Sequence, residues 1–197
     1  MSKILCEVCG EVSPSYEITH YGSVDGGSRT LCSCCFNAEI ANVYGLEDFD
    51  NARLQPIGIA DCTGEMHQFN FVTRLLGNMV TLDAFEVQEG QPAGYQFQMI
   101  GDPEDDMFAL LGRMVEKIRK ALAIKHINDA GDGHGFQILD KTVRGKIDYG
   151  NSDDDYKEPS FVIDGKEISL QEFGHMLSSF EGWQFKLEIS EPSDEVS

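Results

Sequence analysis

Cys6-Glu7-Val8-Cys9-Gly10 and Cys32-Ser33-Cys34-Cys35, with 22 residues between Cys9 and Cys32, decide how the first quarter of this chain folds. Each stretch holds a C-x-x-C pair, Cys6/Cys9 and Cys32/Cys35. A C-x-x-C turn aims two sulfurs at one centre about 2.3 Å from each, and two such turns complete a tetrahedron of thiolates around zinc. Gly10 suits the tight turn after the first pair, because only glycine takes positive φ without steric cost. The spacing therefore predicts one structural Zn²⁺ per chain on Cys6, Cys9, Cys32 and Cys35. Cys34 falls outside the C-x-x-C register and reads as a bystander thiol at a helix start. His20 is a conceivable substitute ligand, but four thiolates already close the site. Cys62, the one cysteine beyond residue 35, reads as a small buried hydrophobe. A disulfide framework needs an oxidising compartment. The start MSKILCEV lacks the roughly 7–15-residue apolar stretch of a secretion signal, so the expected location is cytoplasmic.

Working outward, Ser15–His20 and Arg29–Leu31 flank a glycine-rich turn at residues 22–27 and read as a hairpin. Phe36, Ile40, Val43 and Tyr44 then recur at helical spacing, and Gly45 supplies a stop. Knuckle, hairpin and a helix opening at the second pair resemble the treble-clef group of zinc fingers over residues 4–45. The resemblance implies Cys6, Cys9, Cys32 and Cys35 as the ligands. It leaves function open, since that group includes nucleic-acid binders, protein-binding modules and nucleases. The nuclease branch needs a catalytic histidine in the hairpin with metal-binding His or Asn nearby. Here the helix offers Asn37 and Glu39, and His20 stands alone.

Residues 56–100 alternate apolar and polar side chains in four runs. Thr63-Gly64 and Gly77-Asn78 mark turns, and a loop is expected at Glu89–Gly94. Short links predict an antiparallel meander. Asp102 as N-cap and Pro103 at the first position predict a helix over 103–128. Its stripe of Met107, Leu110, Leu111, Met114, Val115, Ile118 and Leu122 should cover the sheet. Beyond Asn128–Gly135, whose glycines lack the strand and helix of a phosphate loop, a C-terminal ββαβ extension is expected. It comprises a strand near Val143–Tyr149, a hairpin on Asp164-Gly165, a helix capped by Ser169 with Glu172, and a last strand over Trp183–Ile189. Asp153, Asp154 and Asp155 read as a solvated loop without EF-hand spacing. The expected fold class is α+β: a treble-clef unit (residues 1–50), an α+β unit (55–190, divisible into 55–128 and 136–190) and an acidic tail (191–197). The run EFGHML…FEGWQFKLEI, within residues 161–189, resembles a recurring module of uncharacterised bacterial proteins. That resemblance implies a bacterial origin and no activity.

Charge narrows function. With 15 Lys+Arg against 34 Asp+Glu the net charge is −19, and residues 129–197 hold 16 of the acidic side chains. Phosphate-backbone binding needs clustered cations, yet residues 1–54 carry only Lys3, Arg29 and Arg53. Arg113, Lys117, Arg119, Lys120 and Lys125 cluster toward one helix end, where cations suit the dipole. Five histidines are present, and none sits in a nucleophile–base pattern. Should a site exist nonetheless, His175, Glu172 and Trp183 are the residues where polar groups meet the C-terminal helix. The leading expectation is a non-enzymatic, zinc-stabilised interaction protein whose acidic surface steers toward a basic protein partner. Two alternatives stand beside it. One is an enzyme whose acidic cleft handles a cationic substrate or a divalent metal; the other is nucleic-acid binding through the zinc module.

Overall fold

A computed structural model describes residues 3–23, 27–47, 49, 51, 53–131, 135–149 and 158–193. His134, the Asp153–Asp155 run and residues 194–197 of the acidic tail lie outside the described residues. The fold is mixed α+β, built from antiparallel sheets and, among the described residues, three α-helices.

The first unit pairs β1 (Lys3–Leu5) with β2 (Val12–Pro14), and β3 (Ile18–Ser23) with β4 (Gly27–Cys32), before α1 (Ser33–Tyr44). Gly45 closes α1 in the left-handed region at φ 69°. The helix buries Phe36, Asn37, Ile40 and Ala41. Val43 and Tyr44, expected on the buried face, are 68% and 57% exposed. Asn37 accounts for the rotation. Its Nδ2 donates to Thr73 O (3.0 Å), and its Oδ1 accepts from Leu75 N (2.9 Å). A buried amide is retained only where its polar atoms are matched, and here the matching groups lie on a strand of the central sheet.

That sheet is the predicted meander: β5 (Ile57–Ala60), β6 (Met66–Leu76), β7 (Met79–Gln88) and β8 (Gln91–Gly101), in that order. Gly77-Asn78 makes the β6–β7 turn and sets Leu76 opposite Met79. The loop expected at Glu89–Gly94 is mostly strand. The turn contracts to Glu89-Gly90, both at positive φ, and Pro92 pairs with Val87. Proline is tolerated there because β8 is outermost in its sheet and its missing N–H costs no ladder bond. A bulge at Phe85/Glu86 shifts the register.

Helix α2 (Met107–Leu122) starts later and ends earlier than the predicted 103–128. Asp106, not Asp102, is the N-cap, accepting from Phe108 N at 2.9 Å. Asp102 instead accepts from Glu104 N at 2.9 Å in a preceding turn. The predicted stripe is buried at Met107, Leu110, Met114, Ile118 and Leu122. These side chains join one apolar cluster with Phe69, Leu75, Val80 and Leu82 of the sheet and Leu31, Phe36 and Ile40 of the first unit. The basic residues near the end of α2 do more than complement its dipole. Lys117 Nζ donates to Gln98 O (3.2 Å) and to Pro192 O (2.8 Å).

The C-terminal unit has its own small core of Ile127, Ile163, Ile168 and Met176. It pairs β9 (Ile127–Asp129) with β10 (Phe136–Ile138) and sets β11 (Lys146–Tyr149), β12 (Pro159–Ile163) and β13 (Lys166–Ser169) in a separate three-stranded sheet. Asp164-Gly165 forms the predicted β12–β13 turn at φ 48° and 72°. Asp164 Oδ2 also accepts from His126 N (2.6 Å) and Ile127 N (2.9 Å), fastening the turn to the chain leaving α2. Ser169 caps α3 (Leu170–Leu177) as expected, accepting from Glu172 N at 3.1 Å.

The last strand of the expected ββαβ unit is absent. Residues 183–190 join no ladder, and Trp183, Phe185, Leu187 and Ile189 are 59%, 91%, 74% and 70% exposed. Alternation states only that one side of an extended segment is apolar. A strand also needs a free edge, and no edge pairs with this segment. No helix among the described residues is long and apolar enough to cross a membrane.

Candidate metal centre

The four predicted cysteines converge. Cys6 follows β1, Cys9 belongs to the knuckle that turns back to β2, Cys32 ends β4, and Cys35 lies in the first turn of α1. Their sulfurs all lie within 4.8 Å of one another. Cys9 Sγ and Cys32 Sγ are 3.8 Å apart, and all six cysteines are free. A disulfide would bring two sulfurs to about 2.05 Å. Tetrahedral zinc with bonds of about 2.3 Å separates its sulfurs by about 3.8 Å.

The backbone prepares the centre for negative charge. Gly10 takes φ 71°, which lets the knuckle close with Gly10 N donating to Cys6 O at 3.0 Å. Cys32 N donates to Cys6 Sγ at 3.3 Å. Burial pushes the Cys6 thiol up, but N–H groups of Cys32, Cys9 and Val8 outweigh it and bring the group down to about 6. Burial pushes Cys35 and Cys32 the other way, up, and for Cys35 the neighbouring sulfurs add to it. Four sulfurs this close cannot all be charged without a cation among them. The set is able to hold a metal ion such as zinc.

Cys34 stands apart from the sulfur cluster, its Sγ taking a hydrogen bond from Arg53 Nε at 3.3 Å. His20 is exposed and faces Thr30, with Nδ1 and Oγ1 3.5 Å apart. Cys62 corrects the sequence reading: it is exposed, not buried. It sits in the β5–β6 loop, which Leu122 O holds through Cys62 N at 2.9 Å. The suspected His175, Glu172 and Trp183 make no site. His175 is exposed, Trp183 packs edge-on against Phe180, and Glu172 joins neither by any described contact.

A second cluster, missed in the sequence, lies where the β5–β6 loop meets β7, β8 and the chain after α2. Asp61 Oδ1 is spent on its own loop, accepting from Thr63 N (2.8 Å), Thr63 Oγ1 (2.7 Å) and Glu65 N (2.9 Å). Asp61 Oδ2 faces Lys125 Nζ at 2.9 Å and His67 Nε2 at 3.6 Å. His67 Nδ1 lies 2.9 Å from Glu86 Oε1, and the other Glu86 oxygen accepts from Tyr95 N at 2.8 Å. Burial pushes Asp61 up, but the hydrogen bonds from Lys125, Thr63 and Glu65 win and hold its carboxyl well below the usual range. Burial pulls Lys125 down and the Asp61 contact more than restores it, leaving it raised. The sequence signal was Asp61, Glu65 and His67 bracketing a Thr63-Gly64 turn. Glu86 and Lys125 are too distant in sequence to have been joined to them.

Three family models match consecutive stretches of the chain. Residues 5–47 match Domain of unknown function (DUF7685), residues 50–123 Domain of unknown function (DUF7686), and residues 126–194 Domain of unknown function (DUF7713). No curated protein and no solved structure matches the chain.

Proposed function

We propose that Cys6, Cys9, Cys32 and Cys35 hold one structural Zn²⁺, and that the chain is a non-enzymatic interaction protein whose acidic surface engages a basic protein. Closed four-thiolate coordination leaves no open position for substrate, which is the mark of a structural zinc site. The observation that carries the interaction reading is the segment outside any helix or strand with Trp183, Phe185, Leu187 and Ile189 turned to solvent. Aromatic and aliphatic side chains exposed in a row, flanked by charge, are the composition of an interface core with a polar rim. The first unit is poorly suited to nucleic acid. Two of the three cations of residues 1–54 are engaged, Arg29 with Glu39 at 2.8 Å and Arg53 with Glu11 at 2.6 Å.

The test is affinity capture with the full chain and with a Trp183→Ala/Phe185→Ala/Leu187→Ala variant. Any captured protein is then purified and its affinity measured against salt. The reading expects a basic partner, binding that weakens as salt rises, and loss of binding in the triple variant. Equal capture by the variant, or turnover of a small molecule by the purified chain, overturns it.

A further inference from the structure

We propose that Asp61, Glu65 and His67 form a second metal site, one that takes a divalent first-row transition cation on oxygen and nitrogen donors. It shares no residue with the thiolate centre and stands or falls independently of it.

The donor atoms of the three side chains lie within 4.8 Å of one another. Around a cation with bonds of about 2.0–2.2 Å, neighbouring donors sit about 3–4 Å apart, and Asp61 Oδ2 and His67 Nε2 are 3.6 Å apart. Clustered acids alone would mean little in so acidic a chain; the histidine makes the difference. The His67 side chain is only 9% exposed, and its Nε2 is buried with no hydrogen-bond partner. The carboxylate of Glu86 can only accept, so the proton it binds on His67 is on Nδ1. In the neutral ring Nε2 is then a bare lone pair aimed at another acceptor, Asp61 Oδ2. A carboxylate–histidine pair that fixes the tautomer and presents the far nitrogen is the outer-shell arrangement of metal-binding histidines. The Tyr95 ring packs edge-on against the imidazole, centroids 5.2 Å apart, and holds its plane. The buried Tyr95 hydroxyl also has no partner.

Donor chemistry sets the class of ion. One imidazole with two carboxylates suits zinc, cobalt or manganese better than calcium, whose ligands are all oxygen. Glu65 is exposed, which gives the cation a route in and leaves coordination positions for water. Asp61 is preorganised, since three hydrogen bonds to Oδ1 fix the carboxylate and leave Oδ2 free of the loop. Lys125 Nζ marks where positive charge is drawn. Its ammonium neutralises Asp61 while no metal is bound and competes with the metal for the same oxygen. A purely structural ion-pair cluster would need Lys125; a metal site is held back by it.

The test titrates the full chain carrying one equivalent of Zn²⁺, which the four thiolates take first, with Co²⁺, followed by calorimetry and visible absorption. One Co²⁺ per chain should bind with d–d bands and no thiolate charge-transfer band, which separates this site from the cysteines. His67→Gln should abolish binding. Glu65→Gln, at an exposed position that does not threaten folding, should weaken it at least tenfold. Glu86→Gln should weaken it about 10–100-fold through the histidine. Lys125→Gln should tighten it, the opposite of what a structural partner would do. No cobalt bound beyond the cysteine site, unchanged affinity in Glu65→Gln, or weaker binding in Lys125→Gln overturns the proposal.

Discussion

The sulfur cluster of the first unit and the carboxylate–histidine cluster of the meander are assembled in opposite ways. In the first, every donor belongs to a C-x-x-C pair, so each half of the centre is encoded within four residues. In the second, Asp61, Glu65 and His67 come from one hairpin, but the groups that orient them, Glu86 and Lys125, arrive from β7 and from beyond α2. The first unit has small two-stranded sheets and one helix, and its four sulfurs are able to hold a metal ion. The second cluster is built onto a sheet and helix that supply most of the apolar core they share with the first unit. A cation at the sulfurs would therefore help to make its fold, whereas a cation at Asp61 would occupy a fold already made.

The largest expected effect tests that contrast directly. Cys32→Ser should abolish zinc retention and strip amide-exchange protection from residues 3–45, because metal binding in such modules is worth on the order of 10 kcal/mol of folding free energy. Protection in β6, β7 and α2 should persist. Full protection of β3, β4 and α1 in a zinc-free variant would show that the first unit does not need its metal. Next in size is Asn37→Ala, which removes the amide joining α1 to Thr73 and Leu75 of β6. Orphaning buried backbone groups and losing a buried side chain should cost about 3 kcal/mol in denaturant unfolding. A loss below about 0.5 kcal/mol would mean that the two units are joined by apolar packing alone.

A smaller loss, about 2 kcal/mol, is expected for Asp164→Ala. Its carboxylate satisfies His126 N and Ile127 N, which are left without that acceptor. The loss should appear as reduced protection of β9, β12 and β13 with zinc content unchanged. The smallest effect, about 1 kcal/mol, belongs to Ser169→Ala, a helix cap remote from both clusters. It should leave both metal contents as they are, and so serves as the reference for a purely structural change.

These two clusters also mark how far the sequence could be read. The hairpin and helix after the first C-x-x-C pair, the Gly77-Asn78 turn, the four-stranded meander, the stripe on α2 and the Ser169 cap were all legible. Each follows from residues within one turn or one period of each other. The rotation of α1 was not, because Asn37 looked polar until Thr73 and Leu75 came to meet it. Nor was the start of α2, where Asp102 and Asp106 are equally good caps and only the geometry after β8 chooses between them. Cys62 read as buried and is exposed, since a cysteine's burial depends on what packs over it.

By itself, then, the sequence determined the local codes: sulfur pairs, turn dipeptides and amphipathic periods, all set by sterics and spacing along one stretch of chain. Tertiary structure alone decided which faces and edges meet. It left Trp183–Ile189 without a partner strand, although their alternation is as regular as that of any strand in the meander. It also brought Glu86 and Lys125 to the Asp61–His67 pair. The physical reason is the same in both cases: a pattern specifies a surface, and only the folded chain supplies the surface opposite.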